Sequence, residues 1–132
     1  MIMGPVFLSL ADVLEIHRDQ IERYGGTGGI RDINGLKSAI GMPAATFGGV
    51  FLHEGLTDMA GAYLFHLVQN HPFLDGNKRT GTMAAIVFLD LNGFQLEASE
   101  DSLYELVMGL AAGQYSKADV LTFMKRWVRS SR

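Results

Sequence analysis

"HPFLDGNKRTG", residues 71–81, places a histidine, a carboxylate, an amide and two cations within eleven positions. Almost wholly apolar sequence flanks it, "MAGAYLFHLV" (59–68) before and "MAAIVFLDL" (83–91) after. Apolar stretches of this length read as helices surrounded by other helices. They are expected from about Thr57 to Asn70 and from about Lys78 to Asn92, as an antiparallel hairpin through the middle of a bundle. His71 precedes Pro72, and a residue before proline avoids α geometry, so the first helix is expected to end there. A connector that only turns the chain can be short, with Gly, Asn or Ser. This one spaces functional side chains across a central turn. It reads as a site.

The residue types say which kind. Gly76 lets the backbone approach a ligand closely or take positive φ. Asn77, Lys78 and Arg79 open the second helix, whose first N–H groups and positive dipole end bind anions. Lys78 and Arg79 make that anion a phosphate, with Arg79 suited to bidentate contact. Asp75 fits a magnesium ligand, because Mg²⁺ takes one or two carboxylates together with substrate phosphates. His71, across the loop, is the proton acceptor for an incoming hydroxyl. Phe73 is expected to anchor the loop to the core. These are the parts of phosphoryl or nucleotidyl transfer.

Rival motifs fail. "GNKRTGTM" (76–83) has Walker A glycine spacing, but Thr82 and Met83 stand where Lys and Ser/Thr are required. The glycines of "YGGTGGIRD" (24–32) follow a helix rather than a strand, and a turn is expected there. His53, His66 and His71 match no zinc spacing. His66, mid-helix, reads as a satisfied core histidine or a buried hydrogen-bonding group. Met59, Met83, Met108 and Met124 read as core filling.

Working outward, helices account for most of the chain. Ser9 caps "LADVLEIHRDQIERY" with Asp12 three residues on; Leu10, Val13, Leu14, His17 and Ile21 share one face, and Gly25 closes it. A short helix from about Asn34 is stopped by Gly41 and Pro43. "AATFGGVFLHEG" is loop-like, with a short extended piece near Val50–Leu52. Ser99 caps a helix bearing Leu103, Leu106, Val107 and Leu110. Ser116 caps the last, with Val120, Leu121, Met124, Trp127 and Val128 on its apolar side. The expectation is an all-α fold of about six helices, residues 1–132 as a single domain.

With 132 residues and 48% hydrophobic composition, one core is affordable and disorder is not indicated. No apolar run reaches the ~20 residues of a membrane span. The start lacks a basic leader, so no signal peptide is expected and the cytoplasm is the default compartment. There are no cysteines, hence no disulfide framework or thiolate metal site. Up to Tyr115 the chain carries 6 Lys/Arg against 13 Asp/Glu, and from Ser116 onward 5 against 1. An acidic body argues against general nucleic-acid binding. The basic end reads as a last helix with cations near its C-terminus rather than as a dock for an acidic partner.

The motif closely resembles the Fic/Doc signature, His-x-Phe-x-Asp/Glu-Gly/Ala-Asn followed by Gly or Lys and then Arg. "LSLADVLEIHRDQIERYGG", "GIRDINGLKSAI", "PAATFGG", "FLDLNGFQL" and "LAAG" are similar to family segments in the same order. The likeness implies a Fic/Doc fold with the active-site loop between two central antiparallel helices. It also implies His71 as catalytic base, Asp75 as ligand to the Mg²⁺ on ATP, Gly76, Asn77 and Lys78 as an anion hole, and Lys78 and Arg79 as the basic pair. Lys78 resembles the death-on-curing branch, toxins of type II toxin–antitoxin pairs. AMP-transferring members have glycine there and a second arginine where this chain has Thr82. The resemblance therefore implies a kinase toxin that phosphorylates a threonine of elongation factor Tu, with an AMP transferase or a silent partner-binding domain as alternatives. Self-inhibited relatives carry Ser/Thr-x-x-x-Glu followed by Gly or Asn. "TFGGV", "TDMAG", "SEDSL" and "SKADV" lack that glutamate, and "SLYE" has it one residue too close. An antitoxin acting in trans is the expected partner, folding as a helix in a groove near the site.

Overall fold

The computed structural model describes residues 4–131. Six helices are joined by short connectors: α1 (Leu10–Tyr24), α2 (Ile33–Gly41), α3 (Gly55–Asn70), α4 (Asn77–Leu91), α5 (Glu100–Ala111) and α6 (Lys117–Trp127). A 3-10 turn, Met42–Ala44, follows α2. Local chemistry sets the starts. Ser9 and Asp12 form a reciprocal capping box on α1, and Ser116 and Asp119 repeat it on α6. Asp32, which the sequence reading passed over, caps α2 by accepting from Gly35 N–H.

The central hairpin is α3 against α4. Tyr63, Leu64, Leu67, Ala84, Phe88 and Leu89 are fully buried along it, and α1, α2, α5 and α6 surround the pair. Burying each large side chain of this kind contributes about 1.5–3 kcal/mol. Gly81 lets the two helices come close. A Cβ there would lie 3.0 Å from Val68 Cγ2 and 3.3 Å from the Leu64 carbonyl, neither of which can retreat far. Gly81→Ala is therefore expected to destabilise by about 1–3 kcal/mol through overpacking, despite alanine's better helix propensity. Urea unfolding measures it, and a stabilised variant would refute the close approach.

Two small antiparallel ribbons complete the fold. β1 (Thr46–Phe47) pairs with β2 (Val50–Phe51), so the extended piece near Val50 is half of a hairpin. β3 (Phe94–Leu96) pairs with β4 (Val128–Ser130), with Leu96 opposite Val128. The second ribbon corrects the reading of the last helix. Val128 lies four residues beyond Met124, the helical spacing of an apolar face, but its backbone is already extended and its side chain is buried beside Leu96. The basic end is dispersed as well. Lys125 and Arg126 occupy the last turn of α6, Lys117 its first position and Arg129 sits on β4; Arg132 lies outside the described residues.

Two further expectations change. Met59 and Met124 are core, whereas Met108 is 40% exposed and lines a surface groove with Met83. His66 is not a satisfied core histidine, because its Nε2 is enclosed without a hydrogen-bond partner. Burial, helped by Lys117 and His53, pushes its pKa down to about 4. The unfolded chain thus binds a proton near pH 6.5 that the fold refuses until about pH 4. The associated stability is present above pH 6.5 and is lost as pH falls through that window. His66→Leu is expected to flatten the stability–pH curve between pH 6.5 and 4 in chemical denaturation, and an unchanged slope would contradict the burial effect. No helix among the described residues is long and apolar enough to cross a membrane.

Candidate active site

α3 ends at Asn70, and His71 takes φ 48°, ψ 53°. It is the one non-glycine residue among those described with positive φ. The proline behind it explains why the helix stops, and the left-handed turn carries the exposed histidine off the helix axis.

Phe73 is the anchor. It is 1% exposed and its ring lies flat on the His17 imidazole, centroids 3.7 Å apart. His17 Nε2 also hydrogen-bonds the Asp75 carbonyl at 2.8 Å. The Asn77 side chain closes the turn from within. Its Oδ1 accepts from Phe73 N–H at 2.9 Å and its Nδ2 donates to the Phe73 carbonyl at 3.0 Å. Asn77 is accordingly buried, and it offers a ligand its backbone N–H rather than its amide.

Gly76 caps α4 in the left-handed conformation, φ 79°, with no side chain covering the helix start. The N–H groups of the first turn therefore have no side-chain cap, the condition under which a helix start can receive an anion. Gly76 N–H itself is spent on Asp75 Oδ1 at 3.2 Å. The other carboxylate oxygen, Oδ2, accepts from Thr27 N–H, also at 3.2 Å. These donors, Thr27 first and then Gly76, hold the Asp75 carboxyl below the usual carboxylate range. His71, Asp75, Gly76, Asn77 and Lys78 line one cleft of about 210 Å³.

Arg79 is turned away from that cleft. Its guanidinium donates to the Gly25 carbonyl at 3.0 Å and the Gln20 carbonyl at 3.3 Å, and it lies 5.6 Å from the Tyr24 ring centre. There it lines a second, larger groove of about 470 Å³, formed with Tyr24, Met83, Leu103, Tyr104 and Val107. Lys78 borders both spaces.

The glycine-rich segment 25–32 is more than a turn. It runs beside the loop, pairing Ile30 with Phe73 and accepting Leu74 N–H at the Gly29 carbonyl. Arg31 and Asp32 N–H both donate to the Pro72 carbonyl. The side chain of Arg31 reaches the His71 and Asn70 carbonyls. Gly26 must be glycine here: its φ is 116°, and a Cβ would lie 2.9 Å from Asp75 Oδ2. His17, Thr27 and Arg31 were missed as contributors to the site. The run of glycines beside "RD" was the available signal.

Asp75 and the uncapped start of α4, which share the cleft, are the groups that would hold Mg²⁺ with a phosphate chain. No cluster of three or more acidic or histidine side chains among the described residues is arranged to hold a metal. A Mg²⁺ at Asp75 would have this one carboxylate from the protein and would need its remaining ligands from phosphates and water.

The fold is a helical bundle whose central hairpin carries a left-handed histidine beside an uncapped helix start. The sequence model of the Fic/DOC family matches residues 7–89, and the chain belongs to that family. It is 45% identical over 78 residues to Toxin Doc of Mycolicibacterium smegmatis (strain ATCC 700084 / mc(2)155), covering 59% of this chain and 60% of that protein. It is 32% identical over 122 residues to Protein kinase doc of Escherichia phage P1, covering 90% and 93%.

Proposed function

We propose that the protein is a Doc-type toxin that transfers the γ-phosphate of ATP to a protein hydroxyl, a threonine of elongation factor Tu. The observation that carries this reading is the convergence of His71, Asp75 and the uncapped start of α4 on one cleft. Its likeness over nine-tenths of the chain to a protein named as a kinase supports phosphate transfer. So does Thr82, whose hydroxyl donates back to the Lys78 carbonyl at 2.8 Å where AMP-transferring members carry a second arginine.

In this reading the N–H groups of Asn77 and Lys78 bind phosphate oxygens, and the Lys78 ammonium balances their charge. Asp75, kept ionised by Thr27 and Gly76, would hold Mg²⁺. His71 takes the proton of the incoming threonine hydroxyl. Bound Mg·ATP supplies the phosphoryl group and neutralises charge on it. The cleft is below the roughly 300 Å³ at which sites for whole small molecules begin, so it receives the phosphates while the nucleoside lies outside.

The larger groove is assigned to an antitoxin. Along α5 its wall is Leu103, Tyr104, Val107 and Met108 beside Glu100, and Arg79 and Lys78 line it as well, which suits an amphipathic helix bringing a carboxylate to Arg79. Arg79 is already held at the groove rather than in the cleft, so such a helix meets it without rearrangement.

Labelled ATP tests the assignment. Transfer of γ-label to elongation factor Tu supports it. Transfer of α-label makes the protein an AMP transferase, and no transfer of either makes it a binding domain. Expression alone should arrest growth, and co-expression of the cognate antitoxin should relieve it. Harmless high-level expression of folded protein would sink the toxin reading.

A further inference from the structure

Arg31 lies outside the cleft, yet it and its neighbour take the three consecutive carbonyls on which the His71 conformation depends. Arg31 Nη2 donates to the Asn70 carbonyl at 3.0 Å and Nε to the His71 carbonyl at 2.7 Å. The Pro72 carbonyl accepts from both Arg31 N–H and Asp32 N–H, at 2.7 and 3.0 Å. The last carbonyls of a helix have no partner within it. Where a chain leaves a helix in the left-handed conformation, glycine is the usual residue because it has no Cβ to strain. A histidine there needs its backbone held from outside, and its neighbours supply the hold. Asn70 is fixed from the same side, its Nδ2 donating to the Gly35 carbonyl.

We propose that Arg31 is a positioning residue: its guanidinium fork locks His71 in the left-handed turn and so sets where the imidazole stands over the start of α4. The inference rests on the reading of His71 as the base. Geometry also explains why arginine is required. A lysine preserves the cation at the α3 C-terminus, where the helix dipole favours it, but its point charge cannot make two parallel bonds to successive carbonyls. Lysine therefore separates charge from fork.

The test uses the full chain with Arg31→Lys and Arg31→Ala. With labelled ATP, kcat is expected to fall by about 10²-fold, the scale of a misplaced catalytic group. KM for ATP should stay within about twofold, since Asp75, Asn77 and Lys78 are untouched. Arg31 is exposed, so millimolar guanidinium should restore part of the Arg31→Ala rate and ammonium should not. An independent reading is the His71 Cα chemical shift, expected to leave its left-handed value in both variants. Wild-type kcat in Arg31→Lys would overturn the proposal, as would a loss carried equally by KM and melting temperature. If wild-type protein transfers no label, the function assigned above fails and the carbon shift decides Arg31 alone: unchanged in both variants, it refutes the lock.

Discussion

Purified His71→Ala is expected to transfer phosphate 10²–10⁴-fold more slowly than wild type, the range for removing a general base, while folding and binding ATP normally. The separation follows from where the residue sits. His71 is exposed and on the connector, so deleting its imidazole opens no cavity in the α3–α4 core. What holds the loop is elsewhere: the Phe73 ring on His17, the Asn77 clamp and the carbonyl contacts of segment 29–32. Alanine is less at ease than histidine in the left-handed conformation, a small cost that the carbonyl contacts from segment 29–32 oppose. Single-turnover assays with γ-labelled ATP, together with a urea melt, measure both halves. Transfer at the wild-type rate would remove the base from His71. A parallel loss of stability would show that the histidine belongs to the packing and not to the chemistry.

The loop was legible because its chemistry is local. Eleven consecutive residues carry the histidine, the carboxylate, the cations and the helix start, and the apolar flanks declare the hairpin that holds them. Asp75, Lys78 and His71 meet in one cleft because chain proximity leaves little choice. The supports were not legible because they act at a distance and through groups every residue has. Thr27 reaches Asp75 across 48 positions with its backbone N–H, and no side-chain pattern announces that. His17 shares the apolar spacing of α1 with Val13 and Ile21, so its service to Phe73 looks like ordinary core. Arg79 shows the opposite limit. Its motif position suggests the phosphate, but the carbonyls of Gln20, in the last turns of α1, and of Gly25, just after it, take its fork. The ribbon of β3 with β4 was hidden for a similar reason. Three-residue strands have too short a period to stand out, and the pairing joins segments more than thirty residues apart.

Asn77→Ala is expected to unfold the site, with a loss of about 2–5 kcal/mol. Phe73 is 1% exposed, so its N–H and carbonyl have no water to turn to once the Asn77 amide is gone. A buried group left without its partner costs about 1–3 kcal/mol, and here two are orphaned together. Against a typical total of about 5–15 kcal/mol, that is a large share. Asn77→Asp is the sharper variant. An aspartate keeps an acceptor for Phe73 N–H but presents no donor to the Phe73 carbonyl, and it places a charge in a buried position at the first residue of α4. Both variants should lower the urea midpoint, and transfer should fall with it because Phe73, Asp75 and Gly76 share the same turn. A side chain that instead gripped phosphate would give the reverse order: nucleotide affinity lost first, with the melt unchanged. The two hydrogen bonds to Phe73 occupy both ends of the amide, so stability is the quantity that must move.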